Sequence, residues 1–94
     1  MKRALSFLES RDFELELRWL NKTELGAIDP EQDKIFINLE LLAVETFLHE
    51  FYHARYPKLS EEEVEFLAKR KIQRAKVKDV RRLGKCILNY QYVK

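Results

Sequence analysis

The chain has little of what loosens a fold or staples it. Its 94 residues include only two glycines, two prolines and one cysteine. So few turn residues leave no room for a flexible linker or low-complexity stretch, and Cys86 on its own excludes an internal disulfide. No apolar run approaches the roughly 18 residues of a membrane-spanning helix, so no membrane partner is expected. The opening MKRALSFLES lacks the apolar core and cleavage site of a secretory leader. A single soluble domain in a reducing cytoplasm is the expectation, since a chain this short has no space for a second core.

What is present is charge and apolar periodicity, at 36% charged and 46% hydrophobic residues. The net charge of +2 conceals a division: residues 1 to 65 carry 15 acids against 8 bases, whereas residues 66 to 94 carry 1 against 10. The two parts should attract each other. Helical spacing of Ala4, Leu5 and Leu8 predicts a short first helix. FELELRWL alternates apolar and charged residues, as a half-buried strand does. LGAID and KIFIN follow as two short strands, joined by the turn formers DPEQD into a hairpin. The fold class expected is α+β, with a small, mainly antiparallel sheet.

From Leu41 to Arg55 the period becomes helical, with apolar residues over most of the circumference. Leu42, Thr46, His49, Glu50 and His53 fill the remaining arc. A helix apolar nearly all round should be buried, so its polar strip should line a cleft. Pro57 ends this helix. Ser60 can cap the next, with Glu63 completing a capping box, and Val64, Leu67, Ala68, Ile72 and Ala75 mark its apolar face. Gly84 reads as a break before a tyrosine-rich tail. The domain is therefore placed at residues 1–83 and the tail at 84–94.

HEFYH, residues 49 to 53, carries the chemistry. Histidines four apart are helical neighbours, and both rings can converge on one zinc at about 2.0–2.1 Å. Glu50 projects about 100° round the helix from His49, beside such a metal without ligating it, where a general base acting on metal-activated water belongs. A catalytic zinc needs a third protein ligand and an open position. Helical phase turns Glu61 and Glu65 inward, while Glu62 and Glu63 point away. One of the inward pair can bind zinc and the other can accept a hydrogen bond from the outer nitrogen of a ligand histidine.

HEFYH followed by SEEEVEFLA resembles the gluzincin zinc metallopeptidases and, in size and layout, the minigluzincins. The resemblance implies a zinc-dependent endopeptidase acting on peptide or protein substrates. His49, His53 and Glu61 would then be ligands, Glu50 the base, and Glu65 the partner of a histidine, in a place where such enzymes usually carry Asp. It also implies that the strand before the HEFYH helix, here Lys34, Ile35, Phe36, Ile37 and Asn38, is an edge strand that receives substrate by main-chain pairing. Minigluzincins look like latent forms blocked by their C-terminal segments, within one chain or by exchange in a dimer. Cys86, Asn89, Tyr90, Tyr92 or the terminal carboxylate would then reach the metal.

Blander readings stand beside these. HEFYH can be a helix with two partly exposed histidines, EEEVE a solvated acidic first turn, Tyr52 and Tyr56 packing groups, and Cys86, Ile87 and Leu88 the completion of the core. KRKIQRAKVKDVRRLGK, residues 69 to 85, holds nine bases and one acid, which makes a nucleic-acid-binding domain the main rival. A solvated face is the commoner meaning of such a run, so a nucleic-acid partner is not expected. A catalytically inactive, metal-stabilised scaffold is the third class.

Overall fold

The computed structural model describes residues 1–10 and 13–90. In chain order these form helix α1 (Lys2–Ser10), strands β1 (Glu14–Leu17), β2 (Gly26–Asp29) and β3 (Lys34–Ile37), and helices α2 (Leu39–Arg55), α3 (Glu61–Arg74) and α4 (Val77–Leu88). The class is α+β, with the HEFYH segment on α2 and the glutamates opening α3. Among the described residues no helix is long and apolar enough to cross a membrane.

The hairpin forms where DPEQD directs it. Asp29 Oδ1 accepts hydrogen bonds from the Glu31 and Gln32 amides at 3.1 and 3.3 Å. Asp33 closes the turn at φ 53°, a left-handed conformation that Asp tolerates better than most residues. Alternation in FELEL correctly marks a strand, but its partner was not legible. β1 runs parallel to β3, pairing Glu14 with Lys34 and Leu17 with Ile37, while β2 pairs antiparallel on the other side. The sheet order is β1-β3-β2. The edge-strand role expected of Lys34, Ile35, Phe36, Ile37 and Asn38 is thereby corrected: β3 is central, its main-chain groups are taken on both flanks, and the free edges belong to β1 and β2.

Asn38 has a different task. It is fully buried and caps α2, its side chain accepting from the Leu41 amide at 3.3 Å. Its own amide group donates to the carbonyls of Asn21 at 2.9 Å and Glu24 at 3.1 Å. One side chain thus joins the end of β3, the connection from β1 to β2, and the start of α2. Lys22 makes a second joint by donating to the Gln73 and Ala75 carbonyls at 2.9 and 2.8 Å, groups that the end of α3 leaves unsatisfied.

The core is helical. Leu41, Val44 and Leu48 of α2 pack with Ala68 and Ile72 of α3 and Val80 of α4, and Trp19, Tyr52, Ala75, Leu83 and Ile87 close around them. The faces of α2 differ from expectation. Phe47 and Phe51, expected on the buried circumference, are exposed, because α3 and α4 together cover only one side of the helix.

The basic run also divides. Ala75 takes an extended conformation, so α3 stops at Arg74 and α4 folds back onto α2. Four of the nine bases therefore lie on α3, four on α4, and Lys76 caps the start of α4 between them, so they do not form one stripe. Gly84, read as a break, sits inside α4 at its closest approach to α2. A Cβ there would lie 2.8 Å from the Glu40 carbonyl oxygen. Beside it Arg81 Nε donates to Glu40 at 2.9 Å while its guanidinium lies over the Trp19 ring.

Candidate metal centre

Two helix starts set the site. The Asn38 cap fixes α2, which buries Leu41, Val44 and Leu48 and turns His49 and His53 toward α3. The Ser60 cap fixes α3 through the full capping box: Ser60 Oγ accepts from the Glu63 amide at 3.1 Å, and the Ser60 amide donates to Glu63 Oε1 at 3.3 Å. Val64, Ala68 and Ile72 then face α2, which carries Glu61, one turn ahead of Val64, over the histidines.

The three side chains meet. His49 Nε2 lies 3.0 Å from Glu61 Oε2, and His53 Nε2 lies 2.9 Å from Glu61 Oε1. The two Nε2 atoms are 3.1 Å apart, with the rings edge to face. One donor atom from each residue falls within 4.8 Å of the others. Nitrogens each about 2.0–2.1 Å from a tetrahedral ion sit about 3.3 Å apart, and His₂Glu is a donor set of catalytic zinc, so spacing and chemistry both fit that metal. The hydrogen bond from His53, reinforced by that from His49, holds the Glu61 carboxyl below its ordinary range. The histidine side chains are 30% and 27% exposed and Glu61 is 76% exposed, so the cluster opens to solvent on the α3 side.

Glu50 lies exposed on the wall of a cleft of about 370 Å³ that it shares with Glu45, Thr46, His49, Glu65, Ala68 and Lys69. Among the described residues no hydrogen bond engages its carboxylate. Glu65 reaches the same cleft but binds Lys69 Nζ at 2.9 Å, a contact that also lowers its pKa. The bond expected from Glu65 to the outer nitrogen of a histidine does not form; the residue one turn on, a cation, takes the carboxylate instead. Sequence reading missed Glu45, one turn before His49 on the same wall. Burial raises its pKa, partly offset by Lys69. The spacing of residues 45, 49 and 53 was the available signal.

The described part of the tail lies elsewhere. Cys86 and Asn89 line a separate depression on α4 with Lys78, Arg81, Arg82 and Lys85. Tyr90 is exposed and Ile87 packs on the core. None of residues 84–90 lines the cleft over His49. Tyr92 and the terminal carboxylate fall outside the described residues. Tyr52 and Tyr56 stack on each other at 6.3 Å. No protein-family model matches the chain, and neither does any curated protein or solved structure.

Proposed function

We propose that the chain is a minimal zinc-dependent endopeptidase of the gluzincin kind that HEFYH and SEEEVEFLA resemble. His49, His53 and Glu61 hold the metal and Glu50 is the general base. One observation carries the reading: both Nε2 atoms and the Glu61 carboxylate converge within 4.8 Å, with an unengaged Glu50 on the adjoining wall. Zinc held by such a set supplies Lewis acidity, acidifying water and polarising a carbonyl.

The rest is done by the chain. The α2 and α3 caps fix the ligands, and the exposed side of the cluster leaves room for a substrate carbonyl. Glu50 takes a proton from the attacking water and delivers it to the nitrogen of the leaving amine. The water thus ends as the hydroxyl of the new acid, and the carboxylate is regenerated. A reducing compartment suits the reading, since Cys86 is exposed and unpaired.

Glu50→Gln tests it. The variant is expected to bind zinc as the parent does and to lose about 10²–10⁴-fold in hydrolysis of an unstructured protein such as casein, the usual share of a general base. Unaltered turnover would remove Glu50 from the mechanism. A zinc-loaded parent that cleaves nothing would leave the scaffold reading in its place.

A further inference from the structure

Among the described residues the buried apolar ones, Leu41, Val44, Leu48, Val64, Ala68, Ile72 and Val80, all belong to α2, α3 and α4. Neither α1 nor the sheet contributes one, although both have an apolar face. Sheet register sets Leu15, Ile35 and Ile28 in one row and Leu17 and Ile37 two residues along, so all five stand on one side. On that side Leu15, Leu17 and Ile28 are 46%, 59% and 60% exposed. Phe13 precedes Leu15 by two and shares the side, and its ring lies 5.2 Å from Phe7 of α1. The surface therefore continues onto α1, where Leu5, Phe7 and Leu8 are exposed and no residue is buried.

A three-stranded sheet draws its stability from a covered apolar face, and contiguous apolar surface of this kind marks an interaction site. The radius of gyration, 15.9 Å, exceeds the roughly 12 Å of a compact domain of this length. Sheet and α1 stand off from the helical core instead of folding over it.

The charges of α1 identify the occupant. Lys2 and Arg3 lie in its first turn and Glu9 in its last, with no acid at the start and no base at the end. This is the reverse of what the helix's own dipole favours. Two such helices packed antiparallel set Lys2 and Arg3 of each beside Glu9 of the other and oppose their dipoles. We infer that the chain pairs with a second copy of itself through α1 and the apolar side of the sheet, in an isologous two-fold dimer. This interface is independent of the metal centre and of the C-terminal tail.

Sedimentation equilibrium of the full chain tests the pairing. The parent is expected to be a dimer that dissociates on dilution, and Leu17→Glu to be a monomer that keeps its helical circular dichroism and its zinc binding. Lys2→Glu with Arg3→Glu should weaken dimerisation about tenfold, as should Glu9→Lys alone, the scale of a few exposed like-charge contacts. An equimolar mixture of the two charge variants should recover the parental dissociation constant, because every contact again joins opposite signs. Should Leu17→Glu fail to fold, the charge set decides, since its substitutions lie on exposed positions of α1. A parent that is monomeric at all concentrations, a dimer indifferent to Leu17→Glu, or charge variants that mixing does not restore would overturn the inference.

Discussion

Leu41 and Leu15 are the same residue type in equally regular patterns, yet Leu41 is wholly buried and Leu15 is 46% exposed. Leu41 belongs to the helical part, where three apolar stripes close on one another. Leu15 belongs to the sheet part, whose apolar side is left largely open, with Leu17 and Ile28 exposed beside it. Periodicity reports which side of an element is apolar; it does not report whether anything lies against that side. The candidate metal centre of His49, His53 and Glu61 lies in the closed part, where α2 and α3 are held by buried side chains and by caps, as a set of ligands would require.

The contrast can be broken most strongly at its two leucines. Leu41→Ala is expected to cost about 2–5 kcal/mol, lowering the melting temperature by roughly 4–8 °C for each kcal/mol. Leu15→Ala in dilute, monomeric protein should stay within about 0.5 kcal/mol, as exposed substitutions do. Thermal melts of both followed by circular dichroism check this, and equal losses would mean that the sheet has a core of its own.

A finer probe is Gly84→Ala. Alanine in a helix interior gains about 0.8–1.0 kcal/mol over glycine. Here its Cβ would meet the Glu40 carbonyl oxygen at 2.8 Å and Glu40 Cβ at 3.0 Å, a backbone contact that cannot swing away, and overpacking costs about 1–3 kcal/mol. The clash should win, giving a net loss near 1 kcal/mol. A gain on denaturant titration would mean that α4 sits farther from α2.

The smallest effect expected is electrostatic. Glu45 is raised above 4.5 chiefly by burial, against the pull of Lys69. A carboxyl whose folded-state pKa is raised contributes its stability fully below the unfolded value and loses it as pH rises through the folded one. At pH 7 Glu45→Gln should therefore melt slightly higher than the parent, and the difference should close as pH falls below about 4.5. A lower melting temperature at pH 7 would show that Lys69 outweighs burial.

What could be read from the sequence was local. His49 and His53 four apart, Glu50 beside them, and Ser60 with Glu63 as a capping box are relations within a turn or two of helix, and helical phase brought Glu61 inward without knowledge of the fold. What could not be read depended on distant neighbours. Asn38 looked like the end of an edge strand because its partners, the Asn21 and Glu24 carbonyls and the Leu41 amide, are gathered only when three segments meet. β3 became central because β1 pairs with it in parallel, a choice that alternation leaves open. Gly84 looked like a break because a glycine admitting a neighbouring helix and one ending a helix are the same residue. Glu65 was turned to the right cleft, but the cation one turn away claimed it.

The claim on which the functional account stands is that His49, His53 and Glu61 form one metal site. Calorimetric titration of zinc into the parent, Glu61→Ala and Glu65→Ala tests it most directly. The parent should take up one zinc per chain. Glu61→Ala should lose more than the roughly 10–100-fold in affinity that removing a ligand's hydrogen-bond partner costs, and Glu65→Ala should lose no more than that. A parent that takes up no zinc, or a Glu61→Ala variant that binds it as tightly as the parent, would contradict the account.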